Sequence, residues 1–452
     1  MVVVTSAPTR PYTAHGPGTP AEVWRHHLDP DAHAPLTLDG VRRVVVVGAH
    51  PDDESLGAGG LVARARALGI PVSLVCATDG EASHPDSPTH DPTSLAVRRA
   101  AEWEAAAREL GVDAMARHRL RLDDGGLDRD VERLTQALVA AVGDGRGTVI
   151  AGPWRDDGHP DHAAVGRAAA AAARRTDAEL WEYPVWFWHW AAPDDDRVSR
   201  FRPLALADVA DVKQRAIHAH HSQVAPLSAL SGDEALLTAD LLAHFAGPYE
   251  WYAVTAGANC RDDALDEVHR VSEDPWGAES RWYERRKRDL LLAVLPHPRF
   301  RHALEIGCST GALTAALLDR ADRVLGVDRS PAALAIARRR LAGRNDVTLA
   351  DLDVPAAWPD AGPFDLVVVS EVGYFLSPAA VDGLVRRISS SLTPDGVVAL
   401  CHWRHPVEGW VLDAADVHRR FETGPIPPLR AEYGDRDVEI RVHAGAWPDH
   451  DR

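Results

Sequence analysis

The sequence predicts an α/β protein built from two Rossmann-like, three-layer αβα domains in tandem, each with a largely parallel sheet. Two apolar runs, residues 44–47 and 148–151, each lead into a turn of histidine and aspartate and then into a helical segment. A third run, 303–306, leads into a glycine-containing turn and another helix. Strands that alternate with helices in this way predict parallel sheets covered on both faces. At 452 residues the chain is too long for one ordinary domain.

The first apolar run ends in a cluster of one histidine and three acids, His50-Pro51-Asp52-Asp53-Glu54. Open α/β sheets bind ligands at the carboxyl ends of their strands, and buried acids need a positive partner. Imidazole nitrogen and carboxylate oxygen are both zinc ligands. We therefore predict that His50 and Asp53 bind a metal ion and that Asp52 is free to act as a general base on water. The alternative is an acid-rich helix start that complements the helix dipole.

A second cluster follows residues 148–151 and precedes an alanine-rich segment over 163–174. It contains His159-Pro160-Asp161-His162, and two histidines three residues apart at a helix start can face one point. One such cluster is a moderate signal. Two of them, both at strand-to-helix turns, favour a shared metal site over two unrelated helix starts.

Together the two clusters resemble those of the LmbE-like (PIG-L) zinc-dependent N-deacetylases, over about residues 41–255. The resemblance implies a metal ion on His50, Asp53 and His162, with Asp52 as general base. It implies that His159 stabilises the oxyanion or protonates the leaving amine. It also implies N-acetylglucosamine units on a larger carrier as substrates. The sequence leaves open whether the metal is Zn²⁺ or Fe²⁺.

Two further residues in this half are candidates for substrate binding. Arg99 lies in a predicted amphipathic helix over 94–110, and the resemblance implies that it helps to hold the sugar. A surface ion pair between Arg99 and Glu102 is the alternative. Asp124 lies in an Asp-Asp-Gly-Gly turn, where it either reaches sugar hydroxyls or only shapes the turn. The aromatic segment 181–190 favours packing, with one or two tryptophans left for substrate.

The second half begins with a strand over 303–306, the turn Gly307-Cys308-Ser309-Thr310-Gly311 and a helix over 312–318. Glycines let the backbone approach a nucleotide closely, and a helix start favours anionic or polar groups. The next strand ends at Asp328, where an acid typically binds ribose hydroxyls. This order resembles the class I S-adenosylmethionine-dependent methyltransferases. A nicotinamide-binding Rossmann domain is the alternative, although the turn departs from Gly-x-Gly-x-x-Gly.

The methyltransferase resemblance implies S-adenosylmethionine as cofactor. It places Gly307 and Gly311 near the methionine part, Asp328 on the ribose and Asp351 on the adenine amine. We expect Glu305, in an apolar strand, to order the glycine turn.

Glu371 follows a later strand, where this fold commonly places substrate-facing residues.

A narrower resemblance, over about residues 270–405, is to the nodulation-type (NodS-like) N-methyltransferases. Those enzymes methylate the free amine of a deacetylated glucosamine. The resemblance is carried by Asp274-Pro275-Trp276, Trp282-Tyr283-Glu284-Arg285-Arg286-Lys287 and Leu304-Glu305-Ile306-Gly307-Cys308.

Charge and composition bound the partners. A net charge of −18 disfavours binding to nucleic acid or to anionic membranes. No apolar run is long enough to span a bilayer, and the first residues lack the pattern of a secretory signal. The 4 cysteines are scattered, without disulfide-framework or zinc-ribbon spacing. We therefore expect a cytoplasmic protein whose partner is a small-molecule or oligosaccharide substrate. Its oligomeric state is left open.

The predicted organisation is a flexible N-terminal lead over 1–40, a deacetylase over 41–255, a polar linker over 256–275 and a methyltransferase over 276–452. Our hypothesis is a bifunctional enzyme that hydrolyses an N-acetyl group on an amino sugar and transfers a methyl group to the freed amine. In one alternative, the methyltransferase acts on a different group of a natural product. In the other, it serves only as a cofactor-binding module.

Overall fold

The computed structural model describes residues 18–447, in two compact units that divide between Arg261 and Asp262. The predicted flexible lead falls partly on residues 1–17, which lie outside the described residues. Within the remainder of that segment, Trp24 is buried on a short helix and its indole Nε1 donates a hydrogen bond to the carbonyl of Trp188 at 2.7 Å. This part of the lead therefore packs on the first unit.

A seven-stranded sheet forms the centre of the first unit, in the order β3-β2-β1-β4-β5-β7-β6. The first five strands in this order are parallel, and β7 runs antiparallel to both of its neighbours. The strands are β1 (Arg43–Gly48), β2 (Val72–Thr78), β3 (Arg117–Leu122), β4 (Thr148–Pro153), β5 (Glu179–Tyr183), β6 (Phe201–Ala205) and β7 (Tyr249–Thr255). Residues 44–47 are fully buried because β1 is central and covered on both faces.

The helices of the first unit are α1 (Ala21–His27), α2 (Asp53–Ala67), α3 (Pro92–Glu109), α4 (Val131–Val142), α5 (Pro160–Thr176), α6 (Phe187–Trp190), α7 (Ala210–Ala219), α8 (His221–Val224) and α9 (Ala239–Leu242). Helices α2 and α5 begin directly after the turns that follow β1 and β4. Both turns therefore lie at the carboxyl edge of neighbouring parallel strands, and that edge is where the two His/Asp clusters meet.

The sheet of the second unit repeats the same strand permutation, in the order β10-β9-β8-β11-β12-β14-β13. Its first five strands are parallel, and β14 is antiparallel to both neighbours. The strands are β8 (Ala303–Ile306), β9 (Val324–Asp328), β10 (Val347–Asp351), β11 (Phe364–Ser370), β12 (Leu392–Trp403), β13 (Leu429–Gly434) and β14 (Val438–Ala444). Alternate strand residues pack into two separate apolar clusters, one on each face of the sheet.

The helices of the second unit are α10 (Ala264–Val271), α11 (Trp282–Ala293), α12 (Ala312–Leu317), α13 (Pro331–Arg340), α14 (Pro378–Ser391) and α15 (Ala414–Glu422). Helix α10 falls within the segment predicted as a linker and packs against α13. The sequence did not predict α10 as a helix because the segment is polar and only a narrow face of the helix is buried.

The predicted α/β class with two largely parallel sheets is confirmed. Helices α7 and α8 follow one another along the chain and are divided at His220. No helix in residues 18–447 is both long enough and apolar enough to cross a lipid bilayer.

Candidate active sites

The Asp53 carboxylate stabilises the turn between β1 and α2 through hydrogen bonds from backbone amides of the same turn. Asp53 Oδ2 accepts hydrogen bonds from the amides of Ala49 and His50, at 2.8 and 2.9 Å. Asp52, at the start of α2, has φ +138°, which is a costly backbone conformation for a residue with a side chain. The side chains of Asp52 and Asp53 are both buried. Strained backbone of this kind is concentrated at functional sites.

Three side chains from the two predicted clusters meet at this turn. Ligand atoms of His50, Asp53 and His162 all lie within 4.8 Å of one another. His162 Nε2 is 3.2 Å from Asp53 Oδ1, is buried, and makes no hydrogen bond in the described part of the chain. Two imidazoles, one of them with an orphaned ring nitrogen, and one carboxylate are the donor set of a catalytic zinc site. A divalent ion therefore fits these residues.

Asp157 supports this set from behind His162. Its Oδ2 accepts the hydrogen bond of His162 Nδ1 at 2.7 Å, and its two oxygens also accept the backbone N–H groups of residues 185–187. Burial of the ring alone would lower the pKa of His162, but Asp53 and Asp157 raise it to about 9. The site is thus built to hold positive charge. A carboxylate on the far nitrogen of a metal-binding histidine also fixes the ring orientation.

Asp52 lies next to the three candidate ligands and is contacted by a buried arginine. Arg99 Nη2 donates to Asp52 Oδ2 at 3.1 Å and to the carbonyl of Pro51 at 2.8 Å. Burial raises the pKa of Asp52 to about 6 even though Arg99 lowers it. A carboxylate with a pKa near the working pH is suited to exchange protons with water.

His159 lies against the rings of His50 and His162, with centroids 4.9 and 4.8 Å away. Its Nδ1 accepts the backbone N–H of Asp161 at 3.1 Å, so the neutral ring carries its proton on Nε2. Burial, together with the charges of His162 and His50, lowers the pKa of His159 to about 3. His159 is therefore a neutral hydrogen-bond donor at the edge of the cluster.

In the second unit, a cavity of about 450 Å³ opens at the carboxyl ends of the parallel strands. Gly307 lines it with φ +72°, and any side chain at this position would collide with Val372. Asp328 accepts the backbone N–H groups of Ser309 and Ser330 at 2.8 and 2.9 Å, so its carboxylate is fixed at the cavity wall.

Glu305 completes this wall. Its Oε2 accepts the hydroxyl of Thr314 at 2.6 Å, and burial raises its pKa to about 8. The glycine turn, the acid at the end of β9 and the cavity between them fit a nucleoside-containing cofactor.

Comparison with known proteins separates the two halves of the chain. Residues 45–173 match the family model described as GlcNAc-PI de-N-acetylase, PIG-L. The probable N-acetyl-alpha-D-glucosaminyl L-malate deacetylase 2 of Bacillus subtilis is 30% identical over 184 residues, which are 40% of this chain and 82% of that protein. The chain belongs to the PIG-L family. The deacetylase fold predicted for its first half is therefore confirmed, and we call that half the PIG-L unit.

Residues 304–398 match a methyltransferase domain model. Nodulation protein S of Sinorhizobium fredii is 32% identical over 151 residues, 32% of this chain and 66% of that protein. The N-methyltransferase NodS of Bradyrhizobium japonicum, solved with S-adenosyl-L-homocysteine, is 24% identical with a TM-score of 0.36, covering 41% of this chain and 98% of that one. The chain thus joins a PIG-L unit to a NodS-like methyltransferase unit. It spans 56% to 66% of the length of the first curated relatives that it matches.

Arg99 and Asp124, the two residues of the PIG-L unit predicted to bind substrate, both contact residues of the candidate metal site. Arg99 is buried behind Asp52, and Glu102 pairs with the neighbouring Arg98 at 3.2 Å, so the surface ion pair considered for Arg99 and Glu102 does not form. Asp124 Oδ1 lies 3.0 Å from His50 Nε2, and its Oδ2 accepts the amide of Ala82. Although burial opposes it, His50 lowers the pKa of Asp124 below its usual range.

In the methyltransferase unit, three of the five predicted cofactor residues line the cavity: Glu305, Gly307 and Asp328. Gly311 lies outside this lining, at the start of α12, where a side chain would press on Ala337 of α13. Asp351 ends the edge strand β10 with an exposed side chain, and Asp353 is the acid that faces the cavity. Glu371, the predicted substrate-facing residue, lines the same cavity.

The sequence did not identify several residues that complete these sites. Asp157 was visible in the second cluster, but its hydrogen bonds to residues 185–187 connect segments that no local pattern relates. His269 of α10 also lines the methyltransferase cavity, and its Nε2 lies 3.3 Å from the hydroxyl of Ser309. A buried histidine in a polar segment gave no periodic signal.

Proposed function

We propose that this protein is a bifunctional enzyme that acts on an N-acetylated amino sugar. The PIG-L unit removes the acetyl group in a metal-dependent hydrolysis, and the methyltransferase unit transfers a methyl group from S-adenosylmethionine to the freed amine. The observation that carries the first half is the orphaned Nε2 of His162 among His50, Asp53 and Asp52. The N-acetylglucosaminyl deacetylase of Bacillus subtilis supports the substrate class, and the similarity to nodulation protein S supports the second reaction.

In the hydrolysis, His50, Asp53 and His162 hold the metal ion, which we propose to be Zn²⁺ or Fe²⁺. A divalent ion bound there supplies Lewis-acid polarisation of the amide carbonyl and makes water more acidic. Asp52 takes a proton from the attacking water and can pass it to the departing nitrogen.

Arg99 positions Asp52, and His159 stabilises the negative charge that develops on the substrate during hydrolysis. Arg99 holds Asp52 in place from the buried side through its 3.1 Å contact. His159 presents Nε2–H towards charge that develops on the former carbonyl oxygen. The contact of Asp124 with His50 supports a role in orienting that ring, and binding of the sugar by Asp124 stays a prediction.

In the methyl transfer, Glu305, Gly307 and Asp328 hold the cofactor at one end of the cavity. S-adenosylmethionine supplies an electrophilic methyl group, and the chain supplies orientation of the acceptor and exclusion of water. Helix α10 contributes to this enclosure through His269, which supports a role for the predicted linker in the cofactor site.

The hydrolysis is tested by acetate release from N-acetylglucosamine oligosaccharides by the full-length chain. We expect activity with Zn²⁺ or Fe²⁺, loss of activity after chelation, and recovery when metal is restored. Asp52→Asn should lower turnover at least about 100-fold, a typical contribution of general acid–base catalysis. Metal binding by this variant should persist. Asp128→Asn is the matched control, because its carboxylate is on the surface with 83% of the side chain exposed.

Full activity of the Asp52→Asn variant would contradict the assigned base. Activity that survives complete removal of metal, measured by elemental analysis of the assayed sample, would contradict the metal-dependent mechanism.

A further inference from the structure

Besides the predicted cofactor residues, the methyltransferase cavity is lined by a group of charged and aromatic side chains. We call this group the acceptor box: Glu284, Lys287, Glu371, Tyr374 and Trp403 line the cavity, and Tyr283 packs against Trp403. The inference that follows rests on the proposed methyl transfer and concerns which chemical class of acceptor the box binds.

The acceptor box carries one more negative than positive charge. Lys287 Nζ lies 2.7 Å from Glu284 Oε2 and 3.4 Å from Glu371 Oε1, so one ammonium is shared by two carboxylates. Arg288 also lines the cavity, but its guanidinium donates to the carbonyl of Ala278 at 3.1 Å. A second cation would therefore complete the box, whereas an anion would be repelled by both glutamates.

Glu371 offers the position for that cation. Its Oε2 accepts the hydroxyl of Tyr374, whereas its buried Oε1 has the Lys287 ammonium 3.4 Å away and accepts no other hydrogen bond in the described part of the chain. Burial raises the pKa of Glu371 although Lys287 lowers it. Lys287 Nζ lies closer to Glu284 than to Glu371, so this buried oxygen is only partly satisfied, and an ammonium N–H on a ligand would give it a direct hydrogen bond.

The walls of the box are suited to a cation as well. The ring of Tyr283 packs edge-on against Trp403, with centroids 5.2 Å apart, and its hydroxyl has no hydrogen-bond partner within residues 18–447. Lys287 Nζ already lies 5.2 Å from the centroid of the Tyr283 ring. Aromatic faces attract ammonium groups at such distances.

The turn that carries Glu371 is fixed in place. Glu371 has φ +59°, an uncommon conformation for a residue with a side chain. Two residues later, the backbone N–H of Gly373 donates to the buried His402 Nε2 at 3.1 Å. Val372, between them, fills the space that a side chain on Gly307 would need. Glu371 is therefore held rigidly beside the glycine turn of the cofactor site.

We propose that the acceptor box binds the methyl acceptor as a primary ammonium ion and that Glu371 takes one proton from it before transfer. Deprotonation turns R–NH₃⁺ into R–NH₂ and leaves Glu371 neutral. The nitrogen lone pair then forms the C–N bond to the methyl carbon of S-adenosylmethionine while the C–S bond breaks and its electron pair stays on sulfur. The products are S-adenosylhomocysteine and R–NH₂CH₃⁺, and Glu371 returns its proton to solvent.

The test is calorimetric binding of amines to the full-length chain saturated with S-adenosylhomocysteine, which requires no turnover. Glucosamine and cyclohexylamine are the ammonium probes, and N-acetylglucosamine is the neutral control. We expect Glu371→Gln to weaken ammonium binding at least tenfold and to leave S-adenosylhomocysteine binding unchanged. Glu432→Gln, on the exposed surface of β13, should change neither and serves as the matched control.

Binding of both ammonium probes, lost in Glu371→Gln, supports the inference. Binding of cyclohexylamine alone, lost in the same variant, supports an ammonium site and contradicts the amino-sugar acceptor of the proposed function. The inference is overturned if neither probe binds the parent chain, or if Glu371→Gln binds both equally well. It is also overturned if the variant loses affinity only for S-adenosylmethionine, since Glu371 would then serve the sulfonium.

Discussion

At the scale of single residues, Asp157 has the clearest expected effect on metal binding. It receives His162 Nδ1 and three backbone N–H groups, so Asp157→Asn removes the charge that orients and polarises the histidine. Loss of such a partner typically weakens metal binding about 10–100-fold. We expect this loss in Zn²⁺ titrations against a competing chromophoric chelator.

Asp156→Asn is the control for this prediction. It removes the same charge from the adjacent residue, whose side chain is exposed, whereas that of Asp157 is buried. Equal zinc affinities for the two variants, with both folded by circular dichroism, would show that Asp157 serves the fold and not the metal.

The sequence predicted that these side chains come together because each stands in a short motif at a strand end. His50 and Asp53 lie three residues apart, as do His159 and His162, and the parallel sheet brings both pairs to one edge. It could not predict that Arg99 contacts Asp52. That contact joins residues 47 positions apart, and the spacing of Arg99 and Glu102 only allowed a local pair as the alternative to sugar binding.

At the scale of elements, we expect helix α10 to contribute to cofactor binding. The segment is polar enough to be taken for a linker, yet His269 faces the cofactor cavity and Ser309. We expect His269→Ala to weaken binding of S-adenosylhomocysteine about fivefold to tenfold, the range for loss of one hydrogen bond and part of its packing. Isothermal titration calorimetry measures this directly.

Val271→Ala is the control on the same helix, since Val271 is 80% exposed and does not line the cavity. If both variants bind S-adenosylhomocysteine like the parent chain, α10 is a connecting element and the cofactor site begins after it.

Strand positions were more predictable than strand order. Runs such as residues 44–47 and 148–151 are apolar because they are central strands buried on both faces, and their short apolar sequence followed by a turn locates them. β3 was missed because it is polar and lies at the sheet edge, where burial does not select its residues. The methyltransferase resemblance implied Asp351 at the adenine; the side chain is exposed at the end of the edge strand β10, and this role stays a prediction.

At the scale of the whole molecule, the two units share one strand permutation and differ in the chemistry of their turns. The same edge of the sheet carries a His/Asp cluster in one unit and a glycine turn with acids in the other. Function therefore follows from the residues at the strand ends and not from the fold itself. The proposal of two successive reactions on one nitrogen needs both units and has to be tested with both in one chain.

The most direct test is mass spectrometry of products formed by the full-length chain, the Asp52→Asn variant and the parent supplied without S-adenosylmethionine. With N-acetylglucosamine oligosaccharides, we expect the parent to remove acetyl and then add methyl on the same nitrogen, and to stop after deacetylation when the cofactor is withheld. Asp52→Asn should form neither product, yet methylate the same oligosaccharide once it is supplied already deacetylated. Methylation of intact N-acetylated substrate by Asp52→Asn, or no methylation of the free amine by any form, would contradict sequential chemistry on one nitrogen.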